Sequence, residues 1–171
     1  MTRKMSMKAP LLALALAVAA VTPAAQAQTA PPLSKQAQAS PYGAPITLDR
    51  AQQLIERAIA ASRAGNHRMA IAIVEPSGEL VAFARMDDVQ YGSIEVAQRK
   101  ASTAARYRIT TAQMEERVMA GRVVSLANDD ALPIAGGVPI VIDGRIVGAI
   151  GVSGASAADD HTVAQAALAA D

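Results

Sequence analysis

The sequence predicts an α+β domain built around an antiparallel β-sheet. Segments with apolar residues at helical spacing alternate with two pairs of short apolar runs, and a turn joins the runs of each pair. In the second pair the turn is Asp143-Gly144, which a two-residue type I′ turn favours because both central residues need positive φ. The order helix, hairpin, helices, hairpin, helix therefore indicates an antiparallel sheet with helices packed on it.

The hairpin in residues 136–154 is the element around which the rest of the chain is organised. A two-residue turn predicts four facing pairs, which are Ile142 with Arg145, Val141 with Ile146, Ile140 with Val147, and Pro139 with Gly148. Both faces of both strands are apolar, so we expect the sheet to be covered on both sides. One face of the second strand carries only Val147, Ala149 and Gly151, which predicts a closely packed helix there.

The first half of the domain is predicted to form a helix followed by another hairpin. Apolar residues recur at helical spacing from Leu48, with Thr47 as the N-terminal cap and Gly65 as the stop signal. Two apolar runs, Met69–Val74 and Leu80–Arg85, flank a Pro-Ser-Gly turn and predict the two strands of the hairpin.

Four further segments flank the second hairpin in the sequence. An alanine-rich stripe predicts a helix over Ser93–Tyr107 that can approach the sheet closely. Thr110 or Thr111 is predicted to cap a helix over residues 112–122, and residues 123–134 are compatible with a short edge strand. A last helix is expected after Ser156. The side chains predicted to face inward from the capped helix are those of Met114, Val118 and Met119.

The chain divides into a signal peptide over residues 1–27, a flexible lead-in over residues 28–46 and a single domain over residues 47–171. Arg3, Lys4 and Lys8 precede the apolar run Leu11–Ala20, and Ala25-Gln26-Ala27 is a typical cleavage site. The apolar run is too short to span a bilayer, so we expect export to a periplasm or the extracellular space. Cleavage after Ala27 removes three of 16 basic residues and none of 15 acidic ones, leaving a net charge of −2.

Composition excludes several classes of function. The chain has no cysteine, so it contains no disulfide, thiolate nucleophile or thiolate metal site. It has no tryptophan, one phenylalanine and three tyrosines, and its net charge is close to zero. Because stacking platforms and basic surfaces are what nucleic-acid binding requires, we expect no nucleic-acid partner.

Four stretches of the domain carry distinctive motifs in a fixed order. They are residues 69–88, the segment Ala97-Gln-Arg-Lys-Ala-Ser-Thr-Ala-Ala105, Gly136-Gly-Val-Pro-Ile140, and Gly148-Ala-Ile-Gly-Val-Ser-Gly154 followed by Asp160. Together they resemble the GlcG/HbpS-like haem-binding family, which also includes the C-terminal domain of certain corrinoid adenosyltransferases. The resemblance runs from about Thr47 to about Ala167, which is nearly the whole domain.

The resemblance implies a specific fold and ligand. The fold would be profilin-like, with α/β/α layers around a five-stranded antiparallel sheet, and the protein would form a homo-oligomer. For an exported member of the family, the resemblance implies that the ligand is haem or a similar tetrapyrrole. It also implies slow haem degradation or sensing as further roles. A threonine proposed as an axial ligand in one such member corresponds to Thr111, although this chain has Thr110-Thr111 where the family often has Pro-Thr.

A haem site needs an apolar slot, cations for two propionates and an optional axial donor. The residues near Thr111 supply each type of group, with Arg106 and Arg108 as cations and Tyr107 and Met114 as apolar contacts. The alternative is that the arginines form a solvated helix face and Thr111 is an ordinary cap residue. The only histidines are His67 and His161; a single histidine can ligate haem iron, and His67, in a polar loop, is the better placed of the two.

Other chemistries have weaker support in the sequence. The second hypothesis, which the resemblance to the GlcG/HbpS-like family implies, is a small-molecule-binding enzyme or accessory subunit linked to glycolate-type metabolism, and its pocket would contain Glu75, Arg85, Asp88 and Asp160. A third is a structural oligomer without a functional ligand. The glycines of residues 148–154 match neither a dinucleotide fingerprint nor a P-loop, and Ala155 breaks the nucleophile-elbow pattern around Ser153. No independent catalytic constellation is predicted.

Overall fold

A computed structural model describes Met1 and residues 40–169 of the chain. The remainder of the predicted signal peptide, and residues 28–39 of the lead-in, lie outside the described residues. No helix in the described part is both long enough and apolar enough to cross a bilayer.

The centre of the domain is an antiparallel sheet of four strands. The strands are β1 (Ala70–Val74), β2 (Leu80–Arg85), β3 (Gly137–Ile142) and β4 (Arg145–Ser153), and their order across the sheet is β2-β1-β4-β3. Each predicted hairpin is therefore formed, and β1 and β4 pair in the middle of the sheet. The antiparallel α+β class is confirmed.

The prediction of five strands is wrong for the described residues. Residues 123–134, where an edge strand was conceivable, instead contain a 3₁₀ helix over Val123–Ala127. Its backbone hydrogen bonds are local, as from Ser125 N–H to the carbonyl of Arg122 at 3.1 Å, so this segment does not extend the sheet.

Residues of the predicted lead-in pack along β4. β1 pairs with β4 only as far as Ala149, so the first residues of β4 are open on that side. Ile146 N–H donates to the carbonyl of Pro41, and the carbonyl of Ile146 accepts from Gly43 N–H, both at 2.9 Å. Residues before Thr47 therefore take part in the backbone hydrogen bonding of the domain.

Four helices form two layers on the sheet: α1 (Leu48–Ala64), α2 (Gly92–Tyr107), α3 (Thr111–Met119) and α4 (Ala157–Leu168). Alternate residues of β1 point to opposite faces. Ile71 and Ile73 join a core with α1 and α4, whereas Ala70 and Ala72 join an alanine-rich core with α2. The sheet is therefore covered on both sides, as the apolar strands predicted.

The small-residue face of β4 allows the close approach of α2. A methyl group at Gly151 would clash with the backbone carbonyl of Ala97 and lie 2.9 Å from Cβ of Ala101. The predicted packing of an alanine-rich helix on this face is confirmed.

The second hairpin has the predicted turn but a different register. Asp143 and Gly144 both have positive φ, 49° and 72°, as a type I′ turn requires. The pairs Ile142 with Arg145 and Val141 with Ile146 form as expected, but Ile140 then pairs with Gly148 and Pro139 with Ala149. A β-bulge absorbs one extra residue of β4, so the predictions for Ile140 and Pro139 are wrong by one position.

Short polar side chains cap the helices as the sequence indicated. Thr47 accepts a hydrogen bond from Arg50 N–H, and Ser156 accepts one from Asp159 N–H. Thr110, rather than Thr111, caps α3 in a capping box with Gln113. Met119 is 81% exposed, so its predicted inward orientation is wrong.

Candidate functional site

A buried ion pair joins α2 to α4. Lys100 Nζ lies 2.7 Å from Asp160 Oδ2 and donates to the carbonyl of Val152 at 3.1 Å. The second carboxylate oxygen, Oδ1 of Asp160, accepts from Ala155 N–H at 3.0 Å. The side chains of the pair are 1% and 3% exposed, so a ligand reaches neither charge.

Two glycines bring the start of β3 against this ion pair. Gly136 has φ of 128°, and a methyl group there would lie 2.9 Å from Lys100 Nζ and 2.6 Å from the carbonyl oxygen of Val152. Gly137 N–H donates to Oγ1 of Thr111 at 2.8 Å. The start of β3 is therefore fixed by contacts with both α2 and α3.

Thr111, the predicted iron ligand, lies in this interior. It is 0% exposed, and its hydroxyl oxygen accepts the hydrogen bond from Gly137. In this conformation a porphyrin has no access to the hydroxyl. Iron ligation by Thr111 stays a prediction, while the geometry gives the residue a role in positioning β3.

The predicted cations Arg106 and Arg108 contact different segments. Arg106 forms an exposed ion pair with Asp130 at 3.5 Å. The guanidinium of Arg108 lies over the ring of Tyr42, 5.4 Å from its centroid. Tyr107 accepts a hydrogen bond from the Asn128 amide at 2.7 Å. The two arginines therefore have different partners, and their role as propionate contacts stays a prediction.

Met114 lines a cleft between α3 and the 3₁₀ segment. The cleft has a volume of about 310 Å³ and also contains Arg117, Arg122 and Asn128, the last of which connects it to Tyr107. Partial burial and the neighbouring charge of Arg122 lower the pKa of Arg117. Met114 and Tyr107 are therefore near the same cleft, together with two cations that the sequence did not single out.

His67 lines a separate cleft between the end of α1 and α4. This cleft, which we name the His67 cleft, has a volume of about 420 Å³ and is lined by Ala61, Ala64, Gly65, His67, Asp159, Thr162, Val163 and Ala166. The imidazole is half-buried, and its backbone N–H donates to the carbonyl of Ser62 at 2.8 Å. The backbone of His67 is thus fixed, and its ring packs against Gly65, where an added methyl group would lie 2.8 Å from Nε2.

His161 lies on the opposite side of α4 from the His67 cleft. At about 100° per residue, position 161 is turned away from Asp159, Thr162 and Ala166, which line the cleft. Its Nδ1 atom is buried and has no hydrogen-bond partner within the described residues. Burial lowers the pKa of His161. The negative charges of Glu116 and Glu115 partly offset this effect, whereas the positive charge of Lys100 adds to it.

The carboxylates and histidines do not converge on a metal site. In the described part of the chain, no group of three or more His, Cys, Asp or Glu side chains is placed to hold a metal ion. The four residues of the alternative enzyme pocket also fail to converge. Arg85 pairs with the first residue of β1, whereas Glu75 follows the last residue of that strand. Asp160 is buried against Lys100.

Lys100 is the residue whose role the sequence reasoning missed. No role is predicted for it from the sequence, yet it is among the most deeply buried side chains of the described residues. The available signal was its spacing, because position 100 lies beside Ala97, Ala101 and Ala104 on the helix face that packs on the sheet. A lysine within such a stripe needs a buried anion, which Asp160 provides.

Comparisons with known proteins identify relatives of the whole domain. Residues 46–169 match the model of a family described as haem degrading protein HbpS-like. The chain is 40% identical over 106 residues to Protein GlcG of Escherichia coli K12, a match that covers 60% of this chain and 79% of GlcG.

Solved structures show the same fold. The crystal structure of HbpS superimposes with a TM-score of 0.69 at 28% identity, covering 77% of this chain and 94% of the other. The crystal structure of a PduOC:heme complex superimposes with a TM-score of 0.67 at 26% identity, covering 74% of this chain and 95% of the other.

Proposed function

The chain belongs to the HbpS-like family of haem-degrading proteins, and on that premise we propose that its domain binds haem in the His67 cleft. The observation that carries the proposal is the family match over residues 46–169, nearly the full domain. A solved relative of the same fold has haem bound, which supports the same ligand class.

The His67 cleft offers haem an imidazole and an apolar lining, but its lining contains the carboxylate of Asp159 and no arginine or lysine for the propionates. The ring of His67 makes no hydrogen bond within the described residues, so a nitrogen is available for iron, and imidazole is a common haem ligand. Ala61 and Ala64 carry only a methyl group, which keeps this wall of the cleft apolar, while the space beside Gly65 is filled by the His67 ring itself. Thr111, by contrast, is fully buried, and its hydroxyl is already engaged.

The protein's own groups have defined tasks in this site. When bound, haem supplies an iron centre whose redox behaviour depends on its ligand and surroundings. His67 would offer an imidazole nitrogen to the iron, and the hydrogen bond from its backbone N–H to the Ser62 carbonyl holds the residue at the end of α1. Val163 and Ala166 of α4 supply apolar contact and limit the access of water.

Two histidine variants test the site assignment. With hemin added to the purified protein, we expect His67→Ala to change the visible spectrum and to weaken hemin binding by about tenfold or more. His161→Ala is the matched control, because His161 lies outside the cleft, and it should keep the wild-type spectrum. A wild-type spectrum for His67→Ala would contradict ligation by His67, and a changed spectrum for Thr111→Val would instead favour Thr111.

Slow degradation of bound haem is a finer part of the proposal. The family description supports it, and it predicts that hemin held by the protein loses its Soret band with hydrogen peroxide at a rate that differs between wild type and His67→Ala. Equal rates for the two proteins would contradict a role for the His67 cleft in the breakdown.

Oligomerisation and export complete the proposal. Exposed apolar side chains of α3 and the 3₁₀ helix support self-association, namely Met119, Val123, Val124 and Leu126. Light scattering that gives a monomer mass at micromolar concentration would contradict self-association. The leader pattern supports export, and a cell-extracted chain that still begins at Met1 would contradict cleavage after Ala27.

A further inference from the structure

Three arginines converge on a cleft that the haem proposal does not use. The cleft has a volume of about 370 Å³ and is lined by Ile59, Arg63, Arg68, Arg85, Met86 and Asp87. We name it the arginine cleft. All three arginines are exposed, so their guanidinium groups are available to a ligand in solvent.

Local structure explains why these residues meet. Arg85 ends β2 and pairs with Ala70 at the start of β1, and Met86 N–H donates to the carbonyl of Met69 at 3.0 Å. Arg68 directly precedes Met69, and Asp87 directly follows Met86, so both lie at this end of the hairpin. Arg63 lies in the last turn of α1, whose core face packs over the same hairpin.

The three guanidinium groups lack carboxylate partners. Within the described residues, none of Arg63, Arg68 and Arg85 forms an ion pair. Arg68 donates one long hydrogen bond, of 3.4 Å, to the carbonyl of His67. Cζ of Arg85 lies 5.9 Å from the centroid of the Tyr91 ring, a cation–π contact that engages no carboxylate.

The charge of the cleft is opposite in sign to that of the surrounding domain. Residues 40–169 contain 12 basic and 14 acidic residues, a net charge of −2, whereas three arginines and Asp87 give the cleft lining a charge of +2. Like charges in one cleft repel each other, and a bound dianion removes that repulsion. The fork of a guanidinium matches a carboxylate with two parallel hydrogen bonds.

We propose that the arginine cleft binds a small dicarboxylate. Two carboxylates balance the charge of the lining, and Ile59 and Met86 offer apolar contact to the carbon chain between them. Inorganic phosphate has no apolar part and fills only a fraction of the volume. Asp87 accepts hydrogen bonds, so a hydroxyl on the dicarboxylate adds a further contact.

Calorimetric titration of the purified protein with succinate and malate tests this proposal. We expect saturable binding that weakens as salt is raised, and a loss of about tenfold in affinity for each of Arg63→Gln, Arg68→Gln and Arg85→Gln. Arg145→Gln is the matched control. Arg145 is an exposed arginine at the start of β4, whereas the arginine cleft lies near the strand's other end, so this variant should bind the dicarboxylates as the wild type does.

Three outcomes would overturn the proposal. They are the absence of saturable binding at millimolar succinate and malate, equal weakening by Arg145→Gln, and phosphate binding as tight as that of the dicarboxylates. Haem propionates carry the same chemical group, so succinate is also titrated into hemin-saturated protein. Retained succinate binding supports a separate site, and competition would assign the cleft to the propionates. The titration of haem-free protein with succinate does not depend on whether the protein binds haem, so failure of one proposal can be distinguished from failure of the other.

Discussion

At the scale of single residues, the ion pair between Lys100 and Asp160 sets a strong constraint on the fold. Both charges are removed from water, and their desolvation is offset only because each also bonds to the backbone, through Val152 and Ala155. The pair connects the helix on one face of the sheet to the helix on the other, past the end of β4. Its loss therefore affects both layers.

Removing one partner of this pair should destabilise the domain strongly. We expect Lys100→Met to lower the free energy of unfolding in urea by about 3–5 kcal/mol, because the Asp160 carboxylate stays buried without its cation. The exposed pair of Arg106 and Asp130 provides a control, in which Arg106→Gln should cost at most about 1 kcal/mol. Equal effects of the two substitutions would contradict this account of the buried pair.

His161 should make stability depend on pH. Its pKa in the folded state is below the ordinary value of 6.5, so the unfolded chain binds more protons between those two pKa values. The contribution of neutral His161 is complete above pH 6.5 and is lost as the pH falls through this window. Urea unfolding at several pH values should show a smaller loss on acidification in His161→Gln than in the wild type. An identical loss in both proteins would rule out this contribution.

At the scale of elements, the contact between α2 and β4 depends on Gly151. We expect Gly151→Val to cost about 3 kcal/mol or more of unfolding free energy, because the added side chain meets the backbone of α2 and the helix must move. Gly92→Ala is the matched control, since a methyl group there meets no atom within 4 Å, and its effect should lie within about 1 kcal/mol. A tolerated Gly151→Val would show that α2 is not held at this distance.

The same elements show what local sequence can predict. The helix boundaries, caps and turn residues follow from side chains within a few positions, so Thr47, Gly65 and Asp143-Gly144 identified them correctly. The bulge in β4 could not be predicted this way. It lies beside Ile146, whose other backbone partner is the segment around Pro41, and a pairing so distant in sequence is not visible from neighbouring residues.

At the scale of the whole molecule, fold and ligand class were easier to predict than the site. The layers follow from apolar periodicity, and the family follows from motifs spread over the domain. The candidate site depends instead on which surfaces meet after folding. Arg106, Arg108 and Thr111 are close in sequence but have different surroundings. Arg106 pairs with Asp130, Arg108 lies over Tyr42, and Thr111 is buried in the interior. The His67 cleft and the arginine cleft each combine segments that are far apart along the chain.

The central claim is that this domain binds haem, and a hemin titration of the purified wild-type protein followed at the Soret band measures it directly. The account predicts a saturable Soret shift at micromolar protein, with one haem for each chain and a spectrum typical of histidine-ligated iron. A spectrum that stays that of free hemin throughout the titration would contradict it.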